Sequence, residues 1–173
     1  MRIAILGNSG SGKSTLARRL ADLRGLEPLD LDGLAWEPGL IAVPRDPMAA
    51  LAEVAAACTT REHWIIEGCY ADLIRATLPH GPILVFLEPG VDTCLAHCLA
   101  RPWEPHKYAS KAEQDRHLAF LLTWVREYDS REGPLSLRAH QALFDAYGGP
   151  KHQRTIPPDQ AFIEALLNPS TGA

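Results

Sequence analysis

The amino-acid sequence predicts an α/β fold in which helices cover both faces of a parallel β-sheet. Short apolar runs rich in β-branched residues recur along the chain without the polar alternation of half-exposed strands. Amphipathic helical patterns lie between these runs. A glycine-rich segment joins the first predicted strand directly to the first predicted helix. Alternation of this kind makes successive strands parallel, because each helix carries the chain back across the sheet in a right-handed crossover.

The predicted elements follow one another in order along the chain. The strand patterns lie at residues 2–6, 64–66 and 83–87, with weaker patterns at 26–31 and 152–156. The helical patterns lie at residues 13–23, 48–59, 71–78, 91–100 and 160–167. Asp46 is the predicted N-cap of the second helix, and Pro47 suits its first turn.

Residues 101–149 interrupt this alternation with helical patterns at 110–128 and 135–147. We interpret the segment as a helical insertion or lid within a single domain that spans residues 1–173. The last residues, 168–173, are expected to fray. The apolar stripe of the first lid helix is predicted to consist of Leu118, Leu121, Leu122 and Val125.

The composition limits the classes of function. The 173 residues are 46% hydrophobic and carry a net charge of −4, which suits one domain with a buried core. The longest aliphatic or aromatic run, residues 83–87, is far shorter than the roughly 20 residues that a membrane span needs. No basic block is present to bind nucleic acid through charge. The first apolar stretch is too short for a signal peptide, so we expect a cytoplasmic protein.

One group of side chains resembles a metal site, namely Cys94, His97 and Cys98. The two cysteines, however, fall on a helical stripe that we expect to be buried, and His97 falls off it. We therefore predict reduced core cysteines rather than metal ligands. The predicted stripe is Val91, Cys94, Leu95, Cys98 and Leu99.

Residues 7–14, GNSGSGKS, match the phosphate-binding pattern G-x-x-x-x-G-K-[ST] in the strand–helix context that this pattern requires. Glycines let the backbone turn tightly with its N–H groups facing inward, and the helix directs the positive end of its dipole into the same space. We predict that Lys13 contacts the β- and γ-phosphates of a nucleotide and that the Ser14 hydroxyl ligates Mg²⁺. The predicted nucleotide-binding residues here are Gly7, Asn8, Ser9, Gly10, Ser11, Gly12, Lys13, Ser14 and Thr15.

Acidic residues follow two of the predicted strands, at the edge where open parallel sheets bind ligands. If the chain is still extended at Asp30 and Asp32, both carboxylates face one way, and Asp32 can orient or deprotonate an acceptor hydroxyl. The alternative for both is a turn or N-cap role. Glu67 is the candidate Mg²⁺ carboxylate beside Ser14, and its alternative is a surface acid at a strand end. Glu88 is expected to cap the following helix.

Arg101 lies where the fourth predicted helix meets the lid. Its guanidinium is a candidate to stack on adenine or to neutralise the transferring phosphoryl group, so we count it as both catalytic and nucleotide-binding. Arg126 and Arg131 are further lid candidates, for which a solvated helix charge is the alternative. Adenine is the predicted base, because the chain lacks the Asn/Thr-Lys-x-Asp segment with which many proteins bind guanine.

Four segments, taken in order, resemble a known group of proteins. They are the loop at 7–14, LDGLAW at 31–36, WIIEGCY at 64–70 and LEP at 87–89. This order resembles adenylate-kinase-like P-loop NTPases, most specifically small bacterial proteins described as DNA topology modulation proteins or related kinases. The likeness is strong over residues 1–101 and looser over the lid.

The resemblance implies a three-layer P-loop fold with a five-stranded parallel sheet of order 2-3-1-4-5. It also implies ATP and Mg²⁺ at the loop and an acceptor site near Asp32 and residues 36–47. Glu67-Gly68-Cys69-Tyr70 stands where the group has Asp-Gly-Asn-Tyr, so the carboxylate is one methylene longer here. The aromatic-Pro-Arg segment with which adenylate kinases grip their acceptor is absent, so the chain does not resemble an adenylate kinase in substrate.

The predicted function is transfer of the γ-phosphate of ATP to an unidentified small molecule, with the lid excluding water. One alternative is an ATP-dependent regulatory protein acting on DNA topology or gene expression, which requires a basic surface. Another is an ATPase coupled to a protein partner. The candidate residues of the acceptor pocket are Trp36, Arg45, His63 and Arg75.

Overall fold

The computed structural model describes residues 1–37, 43–104 and 108–168. Part of the expected acceptor segment at 36–47 and part of the predicted lid therefore lie outside the described residues. The expectation of a frayed end at 168–173 lies outside them as well, apart from residue 168.

The strands of the sheet are β1 (Arg2–Gly7), β2 (Leu29–Asp30), β3 (Trp64–Gly68), β4 (Ile83–Leu87) and β5 (Lys151–Arg154). They form one parallel sheet in the order β2-β3-β1-β4-β5, which confirms the predicted fold class and strand order. Central strand β1 pairs with β3 on one side and with β4 on the other, so that Ala4 lies between Ile66 and Leu84.

Strand β2 is shorter than the predicted span of 26–31. The helix before it ends at Gly25 in a left-handed conformation (φ +63°), and the N–H of Leu26 donates back to the Ala21 carbonyl. Pro28 has no N–H to donate to a neighbouring strand. These two local constraints leave Leu29 and Asp30 to pair with β3.

The helices lie close to their predicted positions, with one additional short helix after β2. Asp46 acts as the predicted N-cap, since its carboxylate accepts a hydrogen bond from the Met48 N–H at 3.0 Å. A short 3₁₀ helix at Leu78–His80 directly follows the helix at Ala71–Thr77. The helices are α1 (Lys13–Arg24), α2 (Asp32–Ala35), α3 (Pro47–Thr60), α4 (Ala71–Thr77), α5 (Val91–Leu99), α6 (Lys111–Arg126), α7 (Leu137–Ala146) and α8 (Gln160–Leu167).

Both faces of the sheet are buried along its three central strands, β3, β1 and β4, as their non-alternating patterns predict. The edge strands β2 and β5 are only partly buried. Ile3 and Ile5 of β1 face α1 and α8, whereas Ala4 and Leu6 face α3, α4 and α7. All four residues are fully buried, and each large aliphatic side chain contributes about 1.5–3 kcal/mol to stability on burial. This double layer fixes the carboxyl ends of β1 and β3, where the candidate site lies. No helix of the described ranges is both long and apolar enough to cross a membrane.

The predicted lid divides into two parts with different packing. Helix α6 packs on α5 through Val125, which contacts the buried Cys94 and Cys98. Leu143 of α7 instead belongs to the core of the sheet. The prediction that Leu99 is buried is wrong, because α5 ends there and 61% of the residue is exposed.

A buried histidine joins α7 to the loop after β3. His140 is fully buried, and its Nε2 lies 2.8 Å from the Cys69 carbonyl, which can only accept a hydrogen bond. Nε2 therefore carries the proton, and Nδ1 accepts a hydrogen bond from the Tyr128 hydroxyl at 2.7 Å. Burial lowers the pKa of His140 to about 4. The folded protein thus holds this imidazole neutral.

We predict that His140 makes folding stability depend on pH below neutrality. An unfolded histidine binds a proton near pH 6.5, whereas folded His140 resists protonation down to about pH 4. The unfolding free energy should therefore fall by about 3 kcal/mol between these two pH values because of this residue. Urea unfolding of wild type and His140→Gln at pH 7 and pH 4.5 measures the effect. Equal pH slopes in the two proteins would contradict it.

Candidate active site

One cavity of about 700 Å³ opens at the carboxyl edge of the sheet. Its floor is the phosphate loop, of which residues 9–14 line it, and Glu67 and Asp32 lie on one side. On the other side are the residues that follow α5, with Arg101 among them, and residues 157–158 after β5. The three residues predicted to be catalytic, Lys13, Asp32 and Arg101, therefore line one cavity.

The backbone of the phosphate loop needs its glycines for two separate reasons. A Cβ at Gly7 would lie only 2.3 Å from the Leu87 carbonyl oxygen of β4, so no larger residue fits there. Gly12 adopts φ +94°, which favours glycine, and its carbonyl accepts the first α1 hydrogen bond, from Leu16. Helix α1 thus begins inside the loop with its N-terminus towards the cavity.

Lys13 lies at the centre of the loop, with only 8% of the residue exposed. Its ammonium group donates to the Asn8 carbonyl at 2.9 Å. The Asn8 side chain accepts from the Ser9 N–H and donates to the Val125 carbonyl of α6 at 3.2 Å. Gly7 and Asn8 do not line the cavity, whereas the other predicted loop residues do. We conclude that Asn8 shapes the loop and ties it to α6.

Glu67, at the end of β3, is buried beside the loop with 3% exposure, which excludes the alternative of a surface acid. Burial raises the pKa of its carboxyl group, and the negative charges of Asp30 and Asp32 raise it further. The Lys13 ammonium and the adjacent Ser14 hydroxyl oppose this rise. The two predicted Mg²⁺ ligands, Ser14 and Glu67, are therefore neighbours.

The donor set fits Mg²⁺. This ion prefers hard oxygen ligands and is commonly held by one or two protein groups together with phosphates and water. A hydroxyl from Ser14 and a carboxylate from Glu67 match that requirement. A cluster of three or more His, Cys, Asp or Glu residues suited to a metal is absent from the part of the chain that the structure describes. In the group Cys94, His97 and Cys98 the two cysteines are buried and His97 is exposed, as their helical spacing predicts.

The chain is not extended through both Asp30 and Asp32, so the condition for their carboxylates to face one way is not met. Helix α2 begins at Asp32, and the Asp30 carboxylate accepts a hydrogen bond from the Asp32 N–H at 2.9 Å. Aspartate commonly closes such a turn through its own side chain. Asp30 therefore has the turn role, and Asp32 is the carboxylate that lines the cavity.

Two aromatic side chains position Asp32. Its Oδ1 accepts a hydrogen bond from the Tyr70 hydroxyl at 2.9 Å, and that hydroxyl accepts one from the Trp36 Nε1–H at 2.8 Å. Burial and the nearby Asp32 raise the pKa of Tyr70, so the phenol keeps the proton that it donates. The sequence did not predict a role for Tyr70 in the site, because its hydrogen-bond partner Asp32 lies 38 residues away in the chain. Its position three residues after Glu67, the acid at the end of β3, was the available signal.

The basic residues that were predicted to act in the site or the lid differ in their positions in the structure. Arg101 lines the cavity and pairs with Glu104 at 3.3 Å. The guanidinium of Arg131 stacks over the Trp124 ring at 3.3 Å and donates to backbone carbonyls, so it braces the end of α6. Arg45 pairs with Glu53 at 2.6 Å. None of the four predicted acceptor-pocket residues lines the cavity, and neither do two of the lid arginines. These residues are Trp36, Arg45, His63, Arg75, Arg126 and Arg131.

Other cavity residues were not selected from the sequence. His97, Pro157 and Pro158 line the cavity. The two prolines follow β5, which has only a weak strand pattern in the sequence. The sequence therefore gave little reason to expect the loop after β5 at the cavity. The prediction that Glu88 caps α5 is wrong, because Gly90 occupies the N-cap position and no side chain makes a capping hydrogen bond there.

Comparison with solved structures finds the same fold in small-molecule kinases. A gluconokinase from Sinorhizobium meliloti is 19% identical, and the match covers 96% of this chain and 89% of that one with a TM-score of 0.55. A shikimate kinase from Bacteroides thetaiotaomicron is 17% identical, with 98% and 95% coverage and a TM-score of 0.53. A sugar kinase from a Janibacter species is 21% identical, with 96% and 92% coverage and a TM-score of 0.51.

Comparison with protein families and with curated proteins gives no match. The description of some similar sequences as DNA topology modulation proteins is therefore not supported by a relative of this chain. The fold, at these low identities, is what the comparison establishes. The chain has the P-loop kinase fold.

Lys13→Ala is predicted to weaken binding of Mg²⁺ and ATP at least tenfold. The substitution removes the cation at the centre of the loop, which is expected to contact two phosphate groups. Isothermal titration calorimetry measures the change, and Lys111→Ala is a suitable control because that lysine is exposed and pairs with Asp115 on α6. Unchanged affinity in Lys13→Ala would overturn the assignment of the loop.

Proposed function

We propose that the protein is an ATP-dependent phosphotransferase that transfers the γ-phosphoryl group to a hydroxyl of a small molecule. One observation carries the proposal. A phosphate loop with a buried lysine and a second, separately held carboxylate, Asp32, line the same cavity. Nucleotide binding alone requires the loop, whereas transfer also requires a group that orients the acceptor.

The nucleotide is expected to lie along the loop, with its phosphates on the backbone N–H groups and on Lys13. Ser14 and Glu67 would hold Mg²⁺, which when bound neutralises charge on the phosphates. The base would lie near Arg101, because a planar guanidinium and the flat faces of Pro157 and Pro158 suit a purine. The volume of about 700 Å³ is within the range of small-molecule sites.

Asp32 is proposed to orient the acceptor. Tyr70 holds one oxygen of the carboxylate and so fixes the plane of the group. The acceptor oxygen attacks the γ-phosphorus, the bond to the β,γ-bridging oxygen breaks, and ADP leaves. Asp32 accepts the proton of the acceptor hydroxyl. This chemistry requires little of the protein besides positioning and charge.

The structural neighbours are consistent with this proposal. The three solved structures compared above are named as kinases of gluconate, shikimate and a sugar, which are small molecules with hydroxyl groups. We propose that the activity is cytoplasmic, where ATP is available. The two alternative functions, an ATP-dependent regulator of DNA topology or gene expression and an ATPase coupled to a partner protein, are less well supported. Neither function requires the Asp32 carboxylate to be held by Tyr70 and Trp36.

The direct test is a transfer assay with γ-³²P-labelled ATP and Mg²⁺ across a panel of sugars, sugar acids, nucleosides and nucleotides. The expected result is a labelled small molecule that wild type forms and Lys13→Ala does not. Release of inorganic phosphate alone, at the same rate with every acceptor, would favour an ATPase and contradict the proposal.

Asp32→Asn should separate transfer from nucleotide binding. The amide keeps the shape of the side chain but cannot accept the acceptor proton, so transfer should fall roughly 10²- to 10⁴-fold while ATP affinity stays within about twofold. Tyr70→Phe is a graded comparison, because it removes only the hydrogen bond to Asp32, and a loss of about tenfold is expected. Full transfer activity in Asp32→Asn would reduce Asp32 to a turn residue.

The lid can be tested by amide hydrogen exchange. If residues 102–131 close over the nucleotide, their exchange should slow when Mg²⁺ and ATP are added. Arg101→Ala should lower turnover more than nucleotide affinity if its contact strengthens in the transition state, and Arg126→Ala, which changes an exposed arginine away from the cavity, serves as control. Equal protection with and without nucleotide would indicate a fixed helical appendage.

A further inference from the structure

The group Cys94, His97 and Cys98 on α5 has a use other than metal binding. The two cysteines are buried, and His97 is exposed on the adjoining face, where it lines the cavity. Ala100 and Arg101, three and four residues further on, line the cavity as well. One face of α5 thus packs against the lid and another borders the candidate nucleotide site.

The phosphate loop makes its closest approach to α5 at Gly10. This glycine adopts φ +81°, and a Cβ there would lie 2.3 Å from the Cys94 carbonyl oxygen and 2.9 Å from the Cys98 sulfur. The loop can reach this position only because residue 10 has no side chain. Helix α5 is therefore a surface against which the loop is shaped.

A hydrogen bond fixes the orientation of the loop at this contact. Nδ1 of His97 lies 2.8 Å from the Gly10 carbonyl oxygen, which can only accept, so Nδ1 carries the proton. In a trans peptide the carbonyl and the following N–H point in opposite directions. The following N–H, that of Ser11, donates to the Asn8 carbonyl at 3.2 Å. The Gly10–Ser11 peptide is therefore held at both ends.

We infer that His97 is a positioning residue of the nucleotide site, which holds the phosphate loop in its binding conformation through the Gly10 carbonyl. The inference rests on the proposed function, because it takes the loop to be the nucleotide site. Together with the bond from Asn8 to Val125, it links the loop to both α5 and α6. Since His97 is exposed, its replacement should affect the loop more than the stability of the fold.

The test compares variants at this one position by isothermal titration calorimetry with Mg²⁺ and a nonhydrolysable ATP analogue. His97→Ala should weaken binding about fivefold, the effect of losing one hydrogen bond. His97→Asn should bind within about twofold of wild type, because its Nδ2 can occupy the place of Nδ1. His97→Gln carries its amide one bond further out and should resemble His97→Ala. His63→Ala, which changes an exposed histidine away from the cavity, should leave affinity unchanged.

The outcomes are distinguishable. Wild-type affinity in His97→Ala would overturn the inference while leaving the nucleotide site intact. Equal losses in His97→Asn and His97→Ala would show that the hydrogen bond is not the cause and would also overturn it. A wild-type protein that binds no Mg²⁺–nucleotide would overturn the proposed function and the inference together. Should His97→Ala fail to fold, the comparison of His97→Asn with His97→Gln still decides.

Discussion

The candidate site depends on the interactions that stabilise the buried charge of Lys13. An ammonium group with so little exposure is stable only when polar or negative groups surround it. Here the Asn8 carbonyl accepts its hydrogen bond, and the Glu67 carboxyl group lies close enough for the Lys13 charge to lower the pKa of Glu67. Phosphate groups in the loop would add negative charge beside Lys13, and Mg²⁺ would add positive charge beside Glu67. The site therefore favours binding the two together.

The fold brings these groups together because the strands are parallel. The carboxyl end of β1 leads into the loop, that of β2 leads to Asp32, and that of β3 carries Glu67. The three strands are neighbours in the sheet, so residues far apart in sequence share one edge. Helix α5, which follows β4, closes the remaining side of the loop. The helix layers on both faces of the sheet hold this edge in place, and the proposed transfer requires such a fixed arrangement of the side chains.

The parts of this arrangement that were predictable from sequence are those with local causes. The loop follows from its glycines and lysine, and β4 follows from an unbroken apolar run bounded by prolines. Burial of Glu67 follows from its place at the end of such a run. The strand order was predicted only through the resemblance to a known group, since local patterns do not specify which strands are neighbours.

Other features depended on contacts that no local pattern encodes. The sequence at Asp30 is compatible with either a turn or an extended chain. The turn forms because the Asp30 carboxylate accepts a hydrogen bond from the Asp32 N–H. The contact between Tyr70 and Asp32 and the one between His140 and Cys69 join segments 38 and 71 residues apart. Arg131 looked like a lid residue from sequence, but stacking on Trp124 gives it a structural role.

A crystal structure with ADP and Mg²⁺ bound is the most direct test of the central claim, that the loop and β3 form one nucleotide and metal site. We expect the β-phosphate to contact the loop backbone and Lys13. We also expect Mg²⁺ to be bound by the Ser14 hydroxyl and held, directly or through water, by Glu67. ADP bound elsewhere, or Mg²⁺ with no contact to Ser14 or Glu67, would contradict it.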